Sequence, residues 1–237
     1  MPRAKQILTQ VDIACEEVRQ VYLGQKGQIV IGFAGGTTYD LLRFQKTFQE
    51  EYPDVEVMLR RLGTADQVDA LHQEKIDIGF LYPPIESDQL TLFSLPQQGV
   101  IAAVPENHSL AKRQTPIDTK ELKKESFIVT PQKAGTSYRN VLFNLFYRAG
   151  FVPKVTMEAY EIETALSFVA SGMGITLVPS SLQRHEVQGV VYKELLDQTS
   201  AFKTAMVWRS DENSSATLAF IESVKQSLYP FDNERPL

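Results

Sequence analysis

The sequence predicts an α/β fold of two lobes, with a hinged cleft between them and one amphipathic helix ahead of the first strand. Three observations carry that prediction. Short apolar runs alternate with segments of helical periodicity along most of the 237 residues. The runs are nearly all apolar, as expected of strands buried on both faces. Two such α/β units follow one another, and the chain crosses between them near Leu95–Gly99 and again near Thr199–Phe202. Paired crossings make a hinge, and the cleft beside a hinge is a favoured place for a ligand.

Residues 1–26 read as a leading helix. Ile7, Val11, Ala14, Val18 and Tyr22 recur at spacings of four and three, Leu8 widens the stripe, and Gly24 and Gly27 end it. The stripe must pack on the body or on a partner, and the charged opposite face favours a helix–helix contact between two copies. "GQIVIGF" (27–33) is then a buried strand. "TYDLLRFQKTFQEEY" (38–52) is a helix with Leu41, Leu42, Phe44, Phe48 and Tyr52 on one face, closed by Pro53. "VEVMLR" (55–60) is a strand, and "ADQVDALHQEK" (65–75) a helix with Val68 and Leu71 inward. "IDIGFLY" (76–82) is a strand broken by Pro83-Pro84. This βαβαβ run implies a parallel sheet with right-handed crossovers.

The second unit has strands at "GVIAAVP" (99–105), "SFIVTP" (126–131), "VTMEAY" (155–160) and "ITLVP" (175–179). Its helices are "SYRNVLFNLFYRAG" (137–150) and "EIETALSFVASG" (161–172), each stopped by glycine. A late strand, "TAMVWR" (204–209), precedes the helix "SATLAFIESVKQSL" (215–228), which Ser214 or Ser215 can cap. The expected division is 27–97 plus 201–237 for lobe I and 98–200 for lobe II.

Composition narrows the function classes. Hydrophobic and charged fractions of 43% and 22% are ordinary, so the chain has apolar residues enough for a globular core. A net charge of −5 argues against a large basic face for nucleic acid. Cys15 is the only cysteine, which excludes an intrachain disulfide and suits a reducing cytoplasm. The N-terminus lacks the apolar core of a signal peptide, and no segment has the apolar length of a membrane span. The expectation is a cytoplasmic protein that needs no membrane and no cofactor.

Catalytic patterns are missing. "SGMGI" has no nucleophile where a hydrolase elbow needs one. His72, His108 and His185 are scattered and read as structural, with no partner at metal spacing. The acidic pairs Glu50-Glu51 and Asp211-Glu212 read as solvated. What remains is the small-residue turn "AGGTT" (34–38), where a strand end leads into a helix start. It lacks the lysine of a phosphate loop and the spacing of a dinucleotide fingerprint. A helix start leaves amides unpaired and carries partial positive charge, and glycines let a ligand approach them. "VTPQKAGTSYRN" (129–140) repeats the arrangement in the second unit, and "RRLGTAD" (60–66) adds a third. Either turn alone also reads as a bare capped turn. Two of them facing one hinge suit an organic anion, with carboxylate at one end or both. The candidate effector contacts are Gly35, Gly36, Thr37, Thr64, Pro131, Lys133, Thr136 and Ser137.

These segments also carry a resemblance. "GQIVIGF" with its small-residue turn, "LLRFQKTFQEEYPDVEVML", "IDIGF", "VIAAVPENHSLAK" and "ALSFVASGMGITLVPSSL" stand in the order and spacing of the effector-binding region of LysR-type transcriptional regulators. The chain is similar to that region over nearly its whole length. The resemblance implies two Rossmann-like lobes of periplasmic-binding-protein-like fold, preceded by a linker helix that pairs two subunits. It implies a homodimer or homotetramer in which the helix near 38–51 and strand near 54–60 face the helix near 136–149 and strand near 154–159 of another copy. It implies no enzymatic activity, and DNA contact only through a winged helix-turn-helix that would precede Arg3 in a parent protein. Within the family the chain is most similar to members that sense muconate-type or aromatic acids, where the threonine of Gly63-Thr64 contacts ligand. Those members often have serine where this chain has Gly36, so one hydroxyl contact would be missing unless Thr37 turns inward. The rival readings are a solute-binding protein of the same fold and an enzyme of the two-lobed deaminase or dehydratase kind.

Overall fold

The structure, a computed structural model, describes residues 2–132, 136–197 and 201–229. Helix α1 (Pro2–Tyr22) leads into β1 (Gly27–Phe33), α2 (Thr38–Glu51), β2 (Val55–Arg61), α3 (Thr64–His72), β3 (Ile78–Leu81) and β4 (Leu90–Ser94). Then come β5 (Gln98–Pro105), β6 (Ser126–Val129), α4 (Thr136–Arg148), β7 (Lys154–Glu158), α5 (Ile162–Ala170), β8 (Thr176–Pro179) and β9 (Val190–Glu194). The chain closes with β10 (Ala201–Phe202), β11 (Ala205–Arg209) and α6 (Ser215–Leu228).

The first sheet has five strands in the order β2-β1-β3-β11-β4. Strand β1 pairs in parallel with β2 and β3, as the βαβαβ pattern requires. Both faces are covered. Ile29 and Ile31 of β1 meet Leu41, Phe44 and Phe48 of α2 and Phe220, Ile221 and Val224 of α6, while Val30 faces Ala70 and Leu71 of α3. This period-2 split explains why the run contains no polar residue between Ile29 and Phe33. Ser214 caps α6 by accepting from Thr217 N–H.

The second sheet differs from a copy of the first. Its central strand, β5, pairs antiparallel with β8 and with β9. Strands β6 and β7 pair in parallel, and a bridge between Phe127 and Ile175 joins them to β8. Helix α4 packs Leu142, Leu145 and Phe146 on the side of Val100, Ala102 and Val104, and α5 packs Leu166 on the side of Ile101 and Ala103.

A continuous antiparallel ribbon links the two sheets. Ser94 pairs with Ala205, Leu95 N–H donates to Thr204 O (3.0 Å), and Gln98 and Gly99 pair with Phe202 and Ala201. The return crossing therefore falls at Lys203–Thr204, after β10 has paired within the second sheet. Sequence periodicity missed β4, β9 and β10. Strand β4 lies at the sheet edge, β9 has no fully buried residue, and β10 is two residues long.

Several expectations shift at their ends. Helix α3 stops at His72 because Glu74 adopts a left-handed φ of 55°. Strand β6 ends at Val129 and not at Pro131. Of the Asp211-Glu212 pair, expected to be solvated, Glu212 is not: its side chain is 4% exposed, ion-paired to Arg209 at 2.6 Å, and accepts from the N–H groups of Asn213 and Ser214.

Helix α1 ends on Gly24, whose φ of 70° makes the left-handed stop. A Cβ there would lie 2.7 Å from Ser215 O, so glycine also lets the chain pass the start of α6. The predicted stripe of α1 is uncovered in the single chain: Ile7, Leu8, Val11, Val18 and Tyr22 are all at least half exposed.

Candidate functional site

The C-terminal ends of parallel strands β1, β2 and β3 open on one edge of the first sheet. There each strand hands over to a turn or a helix start, and a cleft of about 620 Å³ lies against that edge. Its first wall is Ala34-Gly35-Gly36, Arg61 to Asp66, Val68, Asp69, and Tyr82 to Glu86 without Pro83. Its second wall is Thr130, Ser137 and Tyr138 from the start of α4, with Tyr160, Glu161 and Ile162 from the start of α5.

The small-residue turn begins as one turn of 3-10 helix, Gly35–Thr37, which runs directly into α2. As first-turn positions, the amides of Gly35 and Gly36 have no acceptor within the helix. Neither glycine could be larger without displacing a neighbour. A Cβ on Gly35 would stand 2.6 Å from Arg61 Nη2, and a Cβ on Gly36 would stand 2.0 Å from the Tyr82 hydroxyl.

Of the sequence-predicted residues, the structure brings Gly35, Gly36, Thr64 and Ser137 together around the cleft. Thr37 does not join them. It is 1% exposed and donates to Ala34 O (2.7 Å) and Phe80 O (3.3 Å), tying the turn to β3. The idea that Thr37 replaces a missing serine hydroxyl therefore gives way to a structural role. Thr64 accepts from Tyr82 N–H at 3.3 Å, so its oxygen already holds the third strand end in place. Pro131 is buried and does not line the cleft. Lys133 lies outside the described residues, as does the side chain of Thr136.

Two further residues are central and were not picked out from the sequence. Arg61, the last residue of β2, reaches over Gly35 and ion-pairs with Glu161 and with Glu163 (3.1 Å) of the opposite wall. The pair spans the mouth of the cleft and joins the two lobes. Tyr82, just past β3, is 5% exposed and packs edge-on against Tyr138 and Phe202 of the second lobe. Tyr138 stacks on Phe202 and donates its hydroxyl to Leu177 O at 3.1 Å. The Tyr82 hydroxyl, by contrast, has no partner among the described residues. Burial first, and then the charge of Asp40, raise its pKa well above the ordinary 10.0, so it stays a neutral O–H donor. The strand-edge rule that found Gly36 and Thr64 also reaches Arg61 and Tyr82. A long or aromatic side chain at a strand end has no local mark in the sequence that separates a ligand contact from a packing role.

Electrostatically the cleft is mixed. Asp66, Asp69 and Glu86 sit exposed along one rim, and Arg61 stands over the glycine turn. Among the described residues no group of three or more His, Cys, Asp or Glu side chains could hold a metal ion. No helix among them is long and apolar enough to cross a membrane.

The family model of the LysR substrate binding domain matches residues 23–228. The chain belongs to the LysR family. The LysR domain is 26% identical over 215 residues to the HTH-type transcriptional regulator AlsR of Bacillus subtilis, covering 90% of this chain and 71% of AlsR. It is 32% identical over 182 residues to CatR of Pseudomonas putida, covering 77% of this chain and 62% of CatR. Its fold matches the effector binding domain of BenM, a regulator of Acinetobacter baylyi solved with its effector benzoate. There the TM-score is 0.75 at 27% identity, over 89% of this chain and 96% of that one. The two-lobed, periplasmic-binding-protein-like architecture expected from the sequence is thus that of LysR effector-binding domains, and the relatives are transcriptional regulators.

Proposed function

We propose that this LysR effector-binding domain senses a small organic monocarboxylate held between its lobes, and that it does no chemistry on it. The observation that carries this reading is the convergence at one cleft of the free amides of Gly35 and Gly36, the Arg61 guanidinium and Ser137 from the opposite wall. Helix-start amides and guanidinium both recognise carboxylate, the first through partial positive charge and the second through paired N–H donors. Leu62, Val68, Ile85, Tyr138 and Ile162 offer the rest of the ligand an apolar bed. The acidic rim of Asp66, Asp69 and Glu86 repels a second carboxylate at that end, which favours a monoacid. BenM, whose effector is benzoate, supports the same class by likeness.

Binding would be passed on through the lobes. A carboxylate at Gly35 competes with Glu161 and Glu163 for Arg61, so the ligand changes the ion pair that ties one lobe to the other. Such a ligand shifts lobe closure only by as much as it prefers one state. We assign residues 27–97 plus 203–237 to lobe I and 98–202 to lobe II, moving the second boundary from the expected 201 because β10 pairs with β5. We further propose that α1 pairs two copies through Ile7, Leu8, Val11, Val18 and Tyr22, and that the chain works in the cytoplasm beside a DNA-binding domain of its parent regulator. Val11→Asp with Val18→Asp should lower the sedimentation mass; an unchanged mass would remove α1 from the interface.

The test of the ligand class is isothermal titration of the monoacids benzoate, shikimate and propionate, and of the diacid cis,cis-muconate, into the chain. At least one monoacid should bind, muconate binding alone would overturn the monoacid reading, and Gly36→Asp, which places a carboxylate at the turn, should abolish the binding found. If none binds, or if Gly36→Asp and Ser137→Ala both leave the affinity unchanged, the site is elsewhere. A solute-binding protein of the same fold would bind equally well but stay monomeric.

A further inference from the structure

The proposed site has a polar group that the glycine turn does not explain. The Tyr82 hydroxyl is fully buried, has no partner among the described residues, and lies where a side chain on Gly36 would begin. A buried hydroxyl without a partner costs stability, and one that persists at a cleft calls for an explanation. Its surroundings leave it little freedom. Thr64 holds the Tyr82 backbone N–H, and Tyr138 and Phe202 clamp the ring from the second lobe. Ile162, also from the second lobe, covers the contact, since its Cδ1 would lie 3.4 Å from a Cβ on Gly36. The ring is therefore held by residues of both walls, and its oxygen lies against the glycine turn on the floor of the cleft that Tyr82 helps to line.

From this we infer that Tyr82 is a specificity-determining residue of the cleft. Its phenol donates a hydrogen bond to the anionic group of the effector beside the amides of Gly35 and Gly36. Gly36 is glycine because the phenol fills the space of a larger residue. The inference rests on the carboxylate reading above. It adds that residues 36 and 82 form an exchangeable pair. A hydroxyl at this point can come from Tyr82 over a glycine, or from a serine at position 36 over a phenylalanine. The exchange fits the local geometry: without the phenol oxygen, the nearest ring atom to a Cβ at position 36 is Tyr82 Cζ at 3.3 Å, a tight contact that a small shift of the ring relieves.

The closing experiment titrates benzoate, shikimate, cis,cis-muconate and propionate into four forms: wild type, Tyr82→Phe, Gly36→Ser, and Gly36→Ser with Tyr82→Phe. Thermal melts check that each form folds. Tyr82→Phe removes one oxygen that has no internal partner, so its melting temperature should hold or rise. Its affinity for the carboxylate that binds wild type should fall roughly tenfold or more, the usual worth of a hydrogen bond to a charged acceptor. Gly36→Ser alone should bind poorly and melt earlier. The double variant should return to within about threefold of wild type, which a double-mutant cycle reads as strong coupling. If wild type binds and Tyr82→Phe binds equally well, the inference is overturned while the carboxylate reading stands. A double variant no better than Tyr82→Phe overturns the exchange and with it the inference. If none of the four acids binds wild type, both readings fall together.

Discussion

The two walls of the cleft meet a ligand with different parts of the chain. On the first, two hydroxyls that looked available from sequence are already given to carbonyls. Thr37 bonds Ala34 O and Phe80 O and Thr38 bonds Gly35 O, while Thr64 accepts from Tyr82 N–H and keeps its own O–H to donate. What that wall offers is mainly backbone, at Gly35 and Gly36, together with the Thr64 O–H and two side chains that arrive from neighbouring strand ends. The second wall offers side chains: Ser137, Tyr138, Tyr160 and the Glu161–Ile162 start of α5. A backbone wall is set by the fold and admits few substitutions. A side-chain wall can change with the ligand while the fold stays the same. On the proposed carboxylate reading, affinity thus belongs mainly to the first wall, and discrimination among anions to the second and to Tyr82.

The largest break comes from filling the backbone wall. Gly36→Val places branched carbon against the Tyr82 hydroxyl, and overpacking of this kind costs about 1–3 kcal/mol. Calorimetric melts should show that loss, and carboxylate binding should vanish with it. Next is Thr37→Val, which keeps the shape but removes the hydroxyl's bonds to Ala34 O and Phe80 O, while each carbonyl keeps a backbone donor, Thr37 N–H and Ala34 N–H. Chemical denaturation should show a loss of about 0.5–1.5 kcal/mol. Since the hydroxyl points away from the cleft, affinity should change little; a large loss of affinity at unchanged stability would return Thr37 to the list of ligand contacts. On the side-chain wall, Ser137→Ala should leave the melt unchanged and weaken binding by roughly threefold to tenfold, the range of a neutral hydrogen bond.

A smaller effect tests the hinge beneath both walls. Asp40 of α2 accepts from Gln98 Nε2 on β5, and Ser181 donates to Gln98 Oε1 at 2.6 Å. Burial raises the Asp40 pKa above its ordinary 3.8, against the lowering effects of Arg43, Gln98 and Arg184. A raised carboxyl binds its proton more tightly in the folded than in the unfolded state. Its contribution to stability is full below 3.8 and is lost as pH rises through the folded value. Asp40→Asn should remove that component, so the difference in stability between variant and wild type should grow as pH rises above the ordinary carboxylate range. A pH-independent difference would mean that the carboxyl is not perturbed. A small stability effect is also expected of Arg61→Gln. Its partners are exposed, and such pairs are worth about 0–1 kcal/mol. Any loss of carboxylate affinity in that variant should exceed its loss of stability.

Most of the fold was legible because burial on both faces writes itself as unbroken apolar runs, as in β1 and β5. Strands without that burial were not: β9 is only partly covered, and β4 alternates at an edge. Gly36 and Ser137 could be placed at one cleft because strand-end glycines and helix starts have a local signature. The fate of a hydroxyl has none, since whether Thr37 faces ligand or a neighbouring strand depends on the position of Phe80 O. Glu212 shows the same limit for charge. An acidic pair reads as solvated until Arg209, brought alongside by β11, covers one member. Tyr82 and Arg61 carry the same lesson in reverse, because each acts at the turn of a different strand.

The most direct test of the account is a crystal structure of the domain with the tightest-binding carboxylate of the titration panel. The account places a carboxylate oxygen about 3 Å from the amides of Gly35 and Gly36 and from the Tyr82 hydroxyl, with Arg61 turned from Glu161 toward the ligand. A carboxylate held elsewhere, with the Gly36–Tyr82 contact and the Arg61–Glu161 pair both intact, would contradict it.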